Sequence, residues 1–405
     1  MLIKSIYSIL AVSMLMNIST ALANTCSPKT KNVDLRKEMV PIRDQDSVGW
    51  CYAFTAADLI SHYLYKKSQT GWHPFGVNDF RTKDNSVSAV GVSGAYNYEN
   101  KLNFFTNMPF TNTAEQMASK YSKRVIPEGG QIWNAIEAAK TKGICFEKDL
   151  RSENFSFVRD IRCGHHGHCN VDDVLKIIYN QAGPRPQCGN YSAVKAMFPN
   201  LSIDQIKAIL HYSEKSNALN RLMSITCQKP IETNFFGGRT DKPEVKSYLL
   251  SGLVHDKNGT AVATRSMIMD KVDEALDRGT PAGIQYFARV LVHDDGQKTS
   301  PHASSIVGKF TDPRTCEVNY ILKNSWGSDC GIMTTETEAF RTCVKAIDQK
   351  KLSALEIFNQ TKLCKNKFPR VGRNPKVRCD ERTGYLYIPK SIMQENIYTT
   401  TSLLE

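Results

Sequence analysis

Four side chains in this sequence are of types that could serve nucleophilic acyl transfer. Cys51 opens an apolar run with Ala53, Ala57, Ile60 and Leu64 at helical spacing, and Gly49 supplies the turn in front of it. A thiol attacks only as thiolate, and a helix N-terminus or a nearby imidazolium favours that form. Gln45, six residues earlier, carries an amide that can join the Cys51 N–H in holding an oxyanion as a carbonyl becomes tetrahedral. Far downstream, His302 precedes an alternating β-type run from Ser304 to Phe310, and Asn324 ends another that starts at Tyr320. A histidine working on a thiol needs an acceptor on its second ring nitrogen to fix tautomer and ring plane, and the Asn324 amide can supply it. The chemistry expected is attack by a Cys51 thiolate paired with a His302 imidazolium, giving a thioester that water then cleaves.

These groups lie on opposite halves of the chain, so the fold must bring them together. The first half reads as helical, with Trp50 to Leu64 and Gln131 to Lys142 ending at Gly143, while Lys66 to Asn100 looks rich in loops. Two more helical patterns, Val171 to Asn180 and Ile203 to Met223, fall in a segment with Cys163, Cys169, Cys188 and Cys227 that reads as an insertion. After a helix from Met267 to Arg278 the period changes to strands: Ala282 to Phe287, Ser304 to Phe310, Tyr320 to Ser325 and Tyr385 to Ile388. Helices first and antiparallel strands later predict an α+β protein with two unlike lobes. The divisions are a leader (1–23), an N-terminal helical part (24–150), an inserted Cys-rich segment (151–253), a β part with His302 and Asn324 (254–331), a second, charged and helix-patterned insertion (332–382) and a C-terminal strand and tail (383–405).

Lys4, the apolar stretch Ile6 to Ile18 and the small-x-small pattern Ala21-Leu22-Ala23 predict a cleaved export signal. The protein is therefore expected to be secreted or periplasmic, with no membrane attachment after cleavage. Twelve cysteines fit an oxidising compartment; if Cys51 is kept free, eleven others remain, so one more thiol is unpaired or bridges between chains. The formal charge of +12 is scattered and never gathers into a basic run with interleaved aromatics, which argues against nucleic-acid binding. Cys163-Gly164-His165-His166-Gly167-His168-Cys169 suits either a disulfide-closed loop or zinc, and export favours the disulfide. Asp58 and His62, one helical turn apart, read as neighbours on a helix face. Gly91, Gly94, Gly237 and Gly238 read as turns, and no zincin or serine-elbow motif is present, so no metal or cofactor is expected to serve the reaction.

The segment Gln45-Asp46-Ser47-Val48-Gly49-Trp50-Cys51-Tyr52-Ala53-Phe54 resembles the active-site segment of papain-family cysteine peptidases. Pro301-His302-Ala303 running to Gly308, and Lys323-Asn324-Ser325-Trp326-Gly327, resemble that family's histidine and asparagine segments. The resemblance implies a papain-like two-lobed fold and a Cys51, His302, Asn324 triad with Gln45 at the oxyanion. It further implies that Trp326 shields the His302–Asn324 bond, and that Gly129 and Gly130 line an extended substrate strand. Val33-Asp34-Leu35-Arg36 resembles the start of such a domain and Gly384-Tyr385-Leu386-Tyr387-Ile388 its closing strand, with no N-terminal helical propeptide expected before them. The resemblance implies a protein or peptide substrate; a monomer is also expected. Val48 and Pro127 stand where the family has a bridged cysteine pair, so that bridge is lost as a unit. Cys51 and His302 lie much further apart than the family's usual ~130–150 residues, and the first insertion accounts for the excess. Trp50, in place of a small residue, could crowd the nucleophile. A non-catalytic binding protein on the same scaffold, or a hydrolase of isopeptide or cell-wall cross-links with the same triad, are the other readings.

Overall fold

The computed structural model describes residues 31–45, 48–99, 129–153, 155, 169–184, 191–227, 243–250, 261–291, 301–328 and 374–404, with scattered positions between 330 and 367. The predicted leader, the histidine-rich loop at 163–168, Pro127 and most of the second insertion lie outside them.

The α+β class expected from the sequence is observed, with two apolar cores. The first belongs to helices α1 (Cys51–Ser68), α2 (Ala89–Glu99) and α3 (Ile132–Lys142), joined by α4 (Val171–Gln181), α5 (Ser192–Met197), α6 (Ile203–His211) and α7 (Ala218–Thr226). Helix α1 is the axis of this lobe: nearly every residue from Tyr52 to Leu64 is buried, as for a helix that neighbours surround on all sides. The single pattern read over Ile203 to Met223 is two helices, because Ser213 and Glu214 interrupt it and Ser202 and Gln205 form a capping box at the first start. Helix α2, expected as loop, is helical because its small residues fit close neighbours: a Cβ at Gly94 would lie 2.4 Å from Met223 Cε. A disulfide from Cys145 to Cys227 ties the end of α7 back to the loop after α3.

The second core lies between a sheet and helix α8 (Arg265–Asp277), whose Ile268, Met269, Val272 and Leu276 are buried. Strands β1 (Val33–Asp34), β2 (Glu244–Leu250), β3 (Ala261–Ala263), β4 (Ala282–Phe287), β5 (Pro301–Thr311), β6 (Val318–Lys323), β7 (Arg378–Cys379), β8 (Leu386–Pro389) and β9 (Ile397–Leu404) run in the order β3-β2-β9-β4-β5-β6-β8-β7, with β1 on β5. All pairings are antiparallel except β2 with β3. Strand β2 falls within the stretch read as the first insertion, yet it pairs with β9 along six residues. Helix α9 (Lys390–Asn396) leads into β9. Gly308 lets β1 cross β5, since a Cβ there would meet the Val33 carbonyl oxygen at 2.5 Å.

Disulfides also join Cys330 to Cys379 and Cys343 to Cys364, and Cys169 and Cys316 are each held in a further disulfide. Among the described residues Cys51 is the free cysteine. No helix among them is long and apolar enough to cross a membrane, and no cluster of three His, Cys, Asp or Glu is placed to hold a metal ion.

Candidate active site

The two lobes meet where α1 begins and β5 begins. Cys51 is the first residue of α1, and the N-cap Trp50 offers no side-chain acceptor to the free N–H groups of the first turn. The backbone N–H groups of Ala303, Tyr52 and Cys51 itself face the sulfur. Ala303 follows His302 on β5, so the strand that carries the imidazole also touches the thiol.

His302 Nε2 lies 2.7 Å from Asn324 Oδ1. The same oxygen receives the Ser325 N–H at 2.9 Å and the Ser304 hydroxyl at 3.1 Å. A backbone N–H can only donate, so this atom of Asn324 is an acceptor and His302 Nε2 must carry the proton. Nδ1 of the neutral ring is left as the proton acceptor. Trp326 covers the ring with centroids 4.5 Å apart, and Tyr286 meets it edge-on at 5.6 Å.

Gln45 is fixed by three bonds. Its N–H donates to the Ser325 carbonyl at 2.8 Å, the Ser325 hydroxyl donates to Oε1 at 2.5 Å, and Nε2 donates to the Val48 carbonyl at 2.7 Å. A primary amide has two N–H bonds, so one remains for another acceptor. Ser325 thus links Gln45 to Asn324, a connection that the segment Lys323-Asn324-Ser325-Trp326-Gly327 does not reveal by itself. The Gly129 N–H donates to the Gly49 carbonyl at 2.9 Å, which sets the Gly129–Gly130 edge beside the turn before Cys51. Gly130 must lack a side chain, because a Cβ there would sit 2.7 Å from the Tyr52 ring. Trp50 is 1% exposed and belongs to the helical core, against which Cys51 also packs.

A buried ionic group lies behind the site. Asp58 Oδ1 accepts from Arg43 Nη2 at 2.6 Å, and Oδ2 accepts from Lys323 Nζ. Arg43 Nη1 reaches Glu147 Oε1 at 3.2 Å, and the Asp44 N–H donates to Glu153 at 2.7 Å. Sequence gave no signal of this pairing: Asp58 read as one of a pair with His62, which instead lies 3.3 Å from Glu38.

Burial pushes the Cys51 thiol up to about 11, against the pull of the three N–H groups, and drives His302 down to about 4, against the Asn324 bond. Both shifts favour the uncharged thiol and imidazole, the opposite direction to the thiolate–imidazolium pair expected from the sequence. Alkylation of Cys51 by chloroacetamide should accordingly climb with pH through 8 and 9; a flat rate from pH 5 to 8 would show a standing ion pair.

The depressed His302 value also has a consequence for stability. Above 6.5 the ring is neutral whether the chain is folded or not. Between 6.5 and about 4 the unfolded chain takes up a proton that the folded protein refuses, so stability falls as pH falls. The loss amounts to roughly 3 kcal/mol by the bottom of that window. In His302→Phe, urea unfolding should lose this part of its acid dependence; an unchanged slope would contradict the burial of a neutral ring.

The site is thus a helix-borne thiol set against a strand-borne imidazole–amide pair. No family model matches the chain, and no curated protein does. Among solved structures it is similar to PepW from Lactobacillus rhamnosis, with 13% identity over 95% of this chain and 83% of that one at a TM-score of 0.41. It is similar as well to the stem bromelain precursor, at 12% identity, 92% and 70% coverage and a TM-score of 0.36. Digestive procathepsin L 3 of the Tenebrio molitor larval midgut gives 15% identity, 76% and 64% coverage and a TM-score of 0.32, so this chain spans less than two thirds of the procathepsin. These neighbours are papain-like cysteine peptidases.

Proposed function

We propose that the protein is an extracytoplasmic, papain-like cysteine peptidase that cleaves peptide bonds through Cys51, His302 and Asn324. The observation that carries this reading is the shared acceptor on Asn324, which leaves His302 with Nδ1 as its basic nitrogen while the next residue on the strand, Ala303, touches the thiol. The sulfur attacks the carbonyl carbon as its proton moves to Nδ1. The free N–H of Gln45 and the Cys51 N–H receive the oxyanion. His302 then protonates the departing amine, and water, deprotonated by the same nitrogen, hydrolyses the thioester. Asn324 holds the ring throughout and stabilises the imidazolium while it exists. Gly129 and Gly130 offer the substrate an edge without side chains. The bridged cysteines support export.

An epoxide or vinyl-sulfone probe tests the reading. Labelling confined to Cys51, lost in His302→Ala and accompanied by cleavage of a protein substrate, is the expected result. A folded wild type that neither takes up the probe nor cleaves protein would mark a binding protein on this scaffold instead.

A further inference from the structure

The helix that carries Cys51 also carries a buried carboxylate, Asp58, that touches the segments bringing Gln45 and Asn324 to the candidate site. Asp58 lies on α1 seven residues after Cys51, about 10 Å further along the helix axis. One of its oxygens holds Arg43, two residues before Gln45. The other holds Lys323, the residue before Asn324. The three side chains are dry, with relative exposures of 5% for Asp58, 1% for Arg43 and 2% for Lys323. Arg43 is secured further by the Val87 carbonyl at 2.8 Å, the Phe54 carbonyl at 3.3 Å and Glu147.

We infer that Asp58 is a positioning residue: by gripping Arg43 and Lys323 at once it fixes where Gln45 and Asn324 stand relative to Cys51. Apolar contact between the lobes is non-directional and tolerates small slides. Charge-assisted hydrogen bonds fix distance and angle together, and an ångström of misplacement at a reacting centre is costly. Stability alone is a poor reason for such a group, because buried ion pairs are often replaced by apolar residues of similar volume without loss. Placement of the site across the lobe boundary explains why the charges are there.

The inference rests on the peptidase reading, and the experiment separates the two. Asp58→Leu/Lys323→Met removes one anion and one cation together and leaves Arg43 with Glu147. Folding is checked by urea unfolding, and kcat and KM are measured on a peptide substrate beside the probe-labelling rate of Cys51. The expected result is a folded protein whose kcat and labelling rate fall about tenfold to a hundredfold while KM stays within about twofold. Asp58→Asn/Lys323→Gln, which keeps a directional hydrogen bond without charge, should recover part of the loss, and it carries the test if the apolar pair does not fold. A folded variant of either kind with wild-type kcat and labelling would overturn the inference and leave the peptidase reading standing. A wild type that takes up no probe overturns both.

Discussion

Cys51→Ala abolishes hydrolysis and leaves the fold intact. The sulfur is the nucleophile of the proposed reaction, and His302, Asn324 and Gln45 serve only a bond that it forms. Groups that act as a unit lose their value together, so the fall should be roughly 10⁴-fold or more and not the product of small contributions. Three features keep the fold out of the result. Cys51 is in no disulfide, it is only partly buried, and alanine is a better helix former than cysteine at the start of α1. Unfolding free energy should therefore stay within about 1 kcal/mol of wild type. Peptide hydrolysis and urea unfolding measured on the same preparation decide the matter. Residual turnover near the wild-type rate would remove Cys51 from the mechanism whatever the geometry around it.

The site was legible in the sequence to the extent that its groups are set by neighbours in the chain. Cys51 could be placed at a helix start because Gly49 precedes it and apolar residues follow at helical spacing, and α1 begins at that residue. His302 could be placed at the head of a strand by the run after it, and the strand begins one residue earlier. Partnerships that only the tertiary fold creates could not be read. Asp58 and Lys323 are 265 positions apart, and a single charge in each segment looks like any solvated side chain until the lobes close on both. Helix α2 escaped notice for a related reason: Gly91 and Gly94 imitate a loop locally, and only contact with Cys145 and Met223 shows why small residues belong there. Strand β9 has three consecutive threonines at its centre, residues of good β-propensity but weak hydrophobic signal, and its burial comes from lying between β2 and β4. The sign of the charges in the site was beyond sequence reading too. A helix terminus argues for thiolate, whereas the surroundings that the assembled lobes give Cys51 push its thiol the other way.

Asp58→Leu, made alone, should destabilise the protein by about 3–5 kcal/mol, the range for breaking a buried pair by removing one partner. The cause is what the substitution leaves behind. Arg43 retains Glu147 and two carbonyls, but it loses its shortest ionic contact. Lys323 loses the carboxylate that its ammonium grips while remaining 2% exposed. Burial already holds the Lys323 pKa below its ordinary value, with the Asp58 charge opposing that shift. Without Asp58 the amine is pushed lower still and becomes easier to leave neutral as pH rises. The damage should therefore be greatest at low pH, where the unfolded chain keeps its lysine charged and the folded variant must either bury that charge or give up the proton. Urea unfolding of Asp58→Leu at pH 6 and at pH 9 measures both the loss and its slope. Adding Lys323→Met to the same variant should restore most of the stability, because the stranded charge is removed. A single variant as stable as wild type, or a double variant no better than the single, would mean that water reaches this group and that the lobes are not held by a dry ion pair.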